Sequence, residues 1–408
     1  MRILKVTESY VPFDEFGGPP VKVRALSEGM GARGHEVTVL TADWGVEKRL
    51  AELRAAPAER CPFGWRRNTR GATAIYLPTW FHYRATSWNP AVKRFCRARL
   101  RNFDIAHIFG LYDLLGPAVA SFCRERGVPY VVEPIGMFLP IVRSLRMKRI
   151  YHALFGKPLL AGAAAVVATS EQERSALISG GISEGRIVLR RNGVSVPERF
   201  PERGGFRSKH GIPAGAPVVL FLGRLSRKKS PELLLRAFAG LDASRQDAAP
   251  WLVFAGPDSE GMRSQLEQMT REFGLEARVR FTGPLFGDEK WAAYGDADAF
   301  ALPSLNENFG NTALEAAATG TPVVLTENCG IAPLLRDGAA LVVPHNEEAL
   351  RKALEKVMGD SETSRRLACA GRFAAARLGW EEPLAQMEDV YRRLAAAASG
   401  VGQSGHQG

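Results

Sequence analysis

Short apolar runs alternate with helical patterns through the first half of the chain. Ile3–Thr7 reads as a strand. Val21, Val23, Leu26 and Met30 recur near helical spacing, which predicts a helix over Val21–Arg33. Gly34 follows it, as a glycine often follows a helix end. Val37–Leu40, Ile105–Ile108, Tyr130–Val132 and Ala165–Ala168 read as further strands. Strands separated by helices predict an α/β architecture, a parallel sheet with helices on both faces.

Between Val196 and Pro217 the pattern breaks. Pro197, Pro201, Pro213 and Pro217 stand there with Gly204, Gly205, Gly211 and Gly215, which marks a join between domains. Val218–Leu222 then begins a second series with the continuous apolar run of a buried parallel strand. Trp251–Ala255, Val279–Phe281, Ala299–Leu302, Pro322–Leu325 and Leu341–Val343 continue it. Asn346–Met358 reads as a helix, with Asn346 as cap, Glu347 and Glu348 in the first turn, and an apolar stripe of Leu350, Leu354 and Val357. From about Ser399 the Gly, Ser and Gln content predicts a disordered tail. The expected organisation is two doubly wound domains, 1–196 and 217–375. Ligands of such sheets bind outside the carboxyl ends of the strands, and two facing domains would place those ends around one cleft.

Composition narrows the function classes. A length of 408 residues suits two domains. The net charge of +11 favours an acidic partner: nucleic acid, anionic lipid or a phosphorylated substrate. Five cysteines with no C-x-x-C pair argue against a disulfide framework and for a reducing compartment. Met1–Thr7 lacks the apolar region of a signal peptide, and no uncharged apolar run approaches the roughly 20 residues of a membrane span. The expectation is a cytoplasmic protein, peripheral on the inner face of a membrane. Arg143, Arg146, Lys148 and Arg149, interleaved with Ile141, Val142, Leu145, Met147 and Ile150, form a basic amphipathic segment of the kind that sits on anionic lipid. No Cys/His cluster points to zinc, and no G-x-x-x-x-G-K-[ST] loop points to nucleotide hydrolysis.

The most informative segment runs from Leu302 to Ala316. A strand leads into a polar loop holding Glu307, Asn308, Phe309 and Gly310, and an alanine-rich helix follows with Asn311, Thr312 and Glu315 near its start. Free backbone N–H groups at a helix start attract phosphate. Two carboxylates eight residues apart across that junction can meet sugar hydroxyls at two levels of one cleft. Read alone, they equally serve as acids complementing the helix dipole. A second loop, Gly223-Arg224-Leu225-Ser226-Arg227-Lys228-Lys229-Ser230, also joins a strand to a helix. A third feature is Gly17-Gly18 before the first helix, with Arg33-Gly34-His35 after it.

Glu307-Asn308-Phe309-Gly310 through Glu315-Ala316, followed by Gly320-Thr321-Pro322, resembles the signature of the retaining glycosyltransferases of family 4, whose fold is called GT-B. The Gly223–Ser230 loop is similar to the family's Gly-Arg-Leu segment with a lysine five residues after the arginine, although the family usually has glycine at Ser230. The resemblance covers nearly the whole chain. It implies two facing Rossmann-like domains with a cleft between them, the first binding acceptor and the second a nucleoside diphosphate sugar, with a C-terminal helix near Glu381–Ala398 crossing back to the first.

The resemblance also assigns site residues. Glu307 would contact the donor sugar, and Asn308, Phe309, Gly310, Asn311 and Thr312 would hold sugar or phosphate. Glu315 would bind the ribose. Gly17 and Gly18 would touch donor phosphate or acceptor. Arg224 and Lys229 would meet the donor pyrophosphate, where a cation about 4 Å from the leaving phosphate interacts by roughly 4 kcal/mol at an effective dielectric near 20. Asp296-Ala297-Asp298 resembles the metal motif of the other large glycosyltransferase fold, but it stands at a family-like helix end and is read as structural, with no metal and no cofactor.

The first domain departs from the family pattern. Many relatives have Pro-His-Gly-Met where this chain has Pro134-Ile135-Gly136-Met137, and His107 is the first histidine of a common His-x-His-Gly. Ile135 leaves two readings: a different contact, from Glu133, His107, Gly136 or a backbone carbonyl, positions the sugar or acceptor, or the chain is a non-catalytic nucleotide-sugar binder. The expected donor is a uridine diphosphate sugar ahead of a guanosine diphosphate sugar, on family frequency. The expected acceptor is a glycan or lipid-linked glycan, in polysaccharide or cell-envelope biosynthesis, with no nucleic acid partner. An oxidoreductase would need a G-x-G-x-x-G fingerprint, and none is present.

Overall fold

The computed structural model describes residues 1–13, 17–83, 86–139, 145–241 and 249–404. They fall into two compact units, Met1–Asn192 with Trp380–Gly408, and Gly193–Gly379.

The strands of the first unit are β1 (Arg2–Thr7), β2 (Glu36–Ala42), β3 (Glu59–Cys61), β4 (Gly64–Thr69), β5 (Ala72–Leu77), β6 (Phe81–Tyr83), β7 (Thr86–Trp88), β8 (Ile105–Phe109), β9 (Tyr130–Glu133), β10 (Ala165–Ala168) and β11 (Ile187–Leu189). Among the described residues they form a sheet ordered β11-β10-β9-β8-β1-β2-β5-β4-β3, with β6 and β7 a separate hairpin. From β11 to β5 the pairing is parallel; β4 and β3 add antiparallel at the edge. The central strands are buried on both faces, and so they show as continuous apolar runs. Strands β3 and β4 carry Glu59, Arg60, Arg66, Arg67 and Asn68. That edge has one wet face, and apolar runs do not reveal it.

The first helix is Gly18–Ala32, three residues longer at its start than expected, because Pro19 and Pro20 occupy the first turn where no N–H is needed. The C-terminal helix, Glu381–Ser404, sends Leu384, Met387, Val390 and Tyr391 into the core that holds Val23, Leu26 and Met30. It continues past Ser399, where a disordered tail was expected; residues 405–408 lie outside the described residues.

The second unit contains β12 (Val218–Leu222), β13 (Trp251–Ala255), β14 (Val279–Gly283), β15 (Ala299–Leu302), β16 (Val323–Thr326) and β17 (Leu341–Val343). They form a parallel sheet ordered β14-β13-β12-β15-β16-β17. Asn346 caps the helix Glu347–Gly359 through the Ala349 amide at 2.8 Å. The Pro/Gly-rich stretch expected as a join is packed into this unit. The Asp296 carboxylate accepts from the Gly204, Phe206 and Arg207 amides at 2.5, 3.0 and 3.1 Å. Asp298 accepts from the Arg207 guanidinium at 2.7 Å and the Val218 amide at 2.8 Å. Both aspartates therefore work as structural acceptors for backbone and arginine.

Candidate functional site

In the second unit the strand order reverses between β12 and β15, which run side by side while their successors diverge. Ligands of doubly wound sheets bind at such a point, off the carboxyl ends of the strands. The loops leaving β12 and β15 there carry the two motifs read from the sequence.

The loop after β12 passes through Arg224 and closes with a tight turn at Arg227–Lys229. Ser230 then takes φ +50, the left-handed conformation that favours glycine. Its hydroxyl lies 3.0 Å from His345 Nε2 and donates to the Arg227 carbonyl at 3.3 Å, contacts that hold the serine where the family usually has glycine. Pro231 starts the next helix.

The loop after β15 is braced on both sides. The Leu305 amide donates to the Lys228 carbonyl at 3.0 Å, the Glu307 amide to the Asn328 carbonyl at 3.0 Å, and the Ile331 amide to the Phe309 carbonyl at 2.7 Å. Phe309 is buried in the core of the unit. Gly310 takes φ +110, and a Cβ there would stand 2.9 Å from Ile331 Cγ2, so conformation and space both call for glycine. The helix Asn311–Thr319 begins at that point, and the first N–H groups of a helix have no intrahelical partner.

The two loops meet through an ion pair between Lys229 Nζ and Glu307 Oε2. Burial alone would raise the Glu307 proton affinity, but the charge and hydrogen bond of Lys229, with Lys228 and Arg224 nearby, hold it below the ordinary carboxylate range. Arg224 itself is exposed. Glu315, in the second turn of the helix, accepts from Lys290 Nζ at 2.8 Å and from the Tyr294 hydroxyl at 2.9 Å. Lys290 and Tyr294 were not singled out from the sequence. Their i, i+4 spacing on one helix was visible, but what they face was not. The arrangement offers cations, a helix start and an oriented carboxylate along one edge of a sheet, a set suited to a phosphorylated, hydroxyl-rich ligand.

In the first unit, Gly17 takes φ +92 immediately before the first helix, and Gly18 is exposed. His107 and Glu133 are fully buried and present no atom to solvent. The Glu133 carboxylate accepts from Lys22 Nζ at 2.7 Å and from Arg190 Nη2 at 2.8 and 2.7 Å. Both its oxygens are therefore spent on these neighbours. The Gly136 amide is likewise taken, by Glu173 Oε1 at 2.6 Å. Ile135 takes φ +54, a strained conformation for a β-branched residue, and packs toward the core.

At the carboxyl ends of β1 and β8 stand Glu8 and Asp113, whose proton affinities are raised chiefly by burial, and for Glu8 also by the Asp113 charge. The same edge carries Tyr112 and Tyr151, their rings edge-on at 5.5 Å. Of the expected basic face, Arg143 lies outside the described residues. Arg146 and Arg149 are exposed on the helix Leu145–Tyr151, and Lys148 Nζ sits 5.6 Å from the Tyr112 ring centroid. Met147, Ile150 and Leu154 are exposed too.

Residues 203–373 match the family described as Glycosyl transferases group 1, and residues 17–193 match the Glycosyl transferase 4-like domain. A D-inositol 3-phosphate glycosyltransferase of Corynebacterium urealyticum is 38% identical over 189 residues, 45% of this chain and 45% of that protein. The chain thus matches about half the length of the curated relatives it resembles. Among solved structures, sucrose-phosphate synthase of Thermosynechococcus elongatus superposes with a TM-score of 0.75 at 23% identity, covering 97% of this chain and 99% of the other. Anabaena HepE in complex with UDP and glucose superposes with a TM-score of 0.73 at 19% identity, covering 97% and 100%. The shared fold is that of the GT-B glycosyltransferases, with two Rossmann-like domains. Matched in both units, the chain belongs to the group 1 glycosyltransferases, family 4 of the GT-B fold.

Proposed function

We propose that this protein transfers a sugar from a nucleoside diphosphate sugar to a glycan or lipid-linked acceptor, with retention of configuration and without a metal ion. The observation that carries the reading is the Lys229–Glu307 pair at the reversal of the second sheet, beside the start of the helix that bears Glu315. In this reading the pyrophosphate lies against that helix start, Glu315 takes the ribose diol, and Glu307 takes a hydroxyl of the sugar. The bond from the anomeric carbon to the phosphate oxygen breaks as the acceptor oxygen bonds to the same face. The acceptor proton passes to the departing phosphate oxygen. Arg224 and Lys229 stabilise the charge that grows on that phosphate, as fixed cations that need little reorganisation. The first unit would bind the acceptor. Uridine diphosphate is the favoured nucleotide, on family frequency and on the nucleotide bound by HepE.

Isothermal titration with uridine, guanosine and adenosine diphosphates tests the assignment. One of them, uridine diphosphate first, should bind to the wild type, and Glu315→Ala should weaken it by about tenfold or more, roughly the loss of a charge-assisted hydrogen bond. Equal affinity in the variant would remove Glu315 from the nucleotide site. Ile135 favours one competing reading, a nucleotide-sugar binder without turnover. Binding with no transfer or hydrolysis of any bound sugar nucleotide would establish that reading instead.

The membrane role belongs to the same proposal. Among the described residues no helix is long and apolar enough to cross a membrane. Trp80, Phe81 and Trp88 on the β6–β7 hairpin are 73%, 63% and 50% exposed, far more than apolar packing leaves such rings. Through Tyr112, whose backbone carbonyl accepts from the Thr86 hydroxyl at 2.7 Å and whose ring meets Tyr151, the hairpin connects with the helix bearing Arg146 and Arg149. Aromatic rings beside cations suit the interface of an anionic bilayer. Sedimentation with phosphatidylglycerol vesicles should carry the protein down. Arg146→Glu with Arg149→Glu should abolish this, and persistence in that variant would remove the basic face from the role.

A further inference from the structure

Ser230 stands between Lys229 and the helix Pro231–Ala239, with φ +50 and ψ +50. A side chain in that left-handed region costs energy that glycine does not. A serine before a helix ordinarily caps it, its hydroxyl accepting from the second or third helical amide. The Ser230 hydroxyl makes no such cap. It turns back instead and donates to the Arg227 carbonyl at 3.3 Å, with His345 Nε2 at 3.0 Å on its other side. A hydroxyl has one hydrogen, so with that hydrogen on Arg227 the imidazole is the donor. The neutral Nε2–H form and the imidazolium both supply that donor. A strained residue that also forgoes its cap persists only where its surroundings hold it. The partner that holds it is well backed. His345 follows the edge strand β17 and precedes the Asn346-capped helix Glu347–Gly359. Leu350 and Leu354 of that helix share a core with Leu234 and Leu235 of the helix that Ser230 starts.

We infer that His345 is a positioning residue for Lys229. Through the Ser230 hydroxyl it clamps the downstream end of the Arg227–Lys229 turn in the left-handed conformation, and so fixes where the Lys229 ammonium stands against Glu307. The rest of the turn is tied upstream of Ser230: the Lys229 amide donates to the Ser226 carbonyl at 2.9 Å, and the Leu305 amide to the Lys228 carbonyl at 3.0 Å. Without the imidazole, Ser230 relaxes toward negative φ, and the peptide that joins it to Lys229 turns with it. A displaced cation stabilises a leaving phosphate less, and small misplacements are costly in rate. A glycine at this position would hold the left-handed conformation unaided. His345 is needed because this chain has serine there. The effect on turnover rests on the proposed role of Lys229; the clamp itself does not.

A mutant cycle tests it. His345→Ala should lower kcat about tenfold and change the donor KM by less than about twofold, the signature of an interaction that matters in the transition state. His345→Gln keeps an N–H near the Nε2 position and should recover most of the loss. Ser230→Ala removes the hydroxyl but keeps the Cβ, so it should match His345→Ala, and the two together should cost no more than either. Ser230→Gly should rescue His345→Ala. Hydrogen exchange of the Lys229 amide, measured without any sugar nucleotide, reads the clamp directly. It should speed up about tenfold in His345→Ala and slow again when Ser230→Gly is added. Unchanged exchange in His345→Ala would overturn the inference whatever the turnover. A kcat loss of the same size from His345→Ala in the wild-type and Ser230→Gly backgrounds would overturn it too. Faster exchange with full turnover in both His345→Ala and Lys229→Ala would instead remove Lys229 from the chemistry and keep the clamp.

Discussion

Lys229→Ala is expected to lower turnover by about 100- to 1,000-fold while changing nucleoside diphosphate affinity by less than about fivefold. The asymmetry follows from when the charge is needed. In the bound donor the phosphate charge is already spread over several oxygens. In the transition state it concentrates on the oxygen that leaves, and only an interaction stronger there than in the ground state accelerates the reaction. In the proposed mechanism Lys229 is held for that role. Its turn is pinned by the Leu305 amide on the Lys228 carbonyl, and its ammonium is aimed by Glu307. Glu307 has a stake of its own, because burial would raise its proton affinity if Lys229 did not oppose it. The alanine variant should therefore also let the Glu307 carboxyl rise toward the ordinary range, and part of its defect should ease at higher pH. Lys229→Arg keeps the charge and should recover part of the rate. Single-turnover kinetics separate these effects from binding. Unchanged turnover in Lys229→Ala would remove the lysine from leaving-group stabilisation.

Glu133→Ala should destabilise the first unit by about 3–5 kcal/mol, the size seen when one partner of a buried ion pair is removed and the other is left uncompensated. Here Lys22 and Arg190 both lose their acceptor, in a setting where each is buried. Urea unfolding followed by circular dichroism measures the loss. Arg190→Met combined with Glu133→Gln should cost less than the sum of the two single changes, since groups in one network do not act independently. Strict additivity would mean that the pair does not couple, and that packing alone carries the effect. Trp380, whose ring centroid is 5.9 Å from the Arg190 guanidinium carbon, gives a local optical reporter.

These two sites differ in how far the sequence reveals them. Strands β12, β13, β15 and β16 lie close to where apolar runs place them, because each is buried along its whole length and announces itself within four or five residues. The donor motif is legible for a similar reason. Glu307, Gly310 and Glu315 lie within one loop and the first two turns of one helix, so their spacing along the chain is nearly their spacing in space. Strands β3, β4, β6 and β7 escaped because they are short, polar on one side, or paired only with each other.

What tertiary structure alone decided is which polar groups lost their water and which partners they gained. His107 and Glu133 look like ligand-facing residues at strand ends. Folding buries both, and their partners come from far along the chain: Tyr391 is 284 positions from His107, and Arg190 is 57 from Glu133. Asp296 and Asp298 have the spacing of a metal site, yet they spend their oxygens on amides and an arginine some 90 positions earlier. Local pattern sets secondary structure because backbone geometry is local. Charge and proton affinity depend on desolvation and on neighbours that no local window contains.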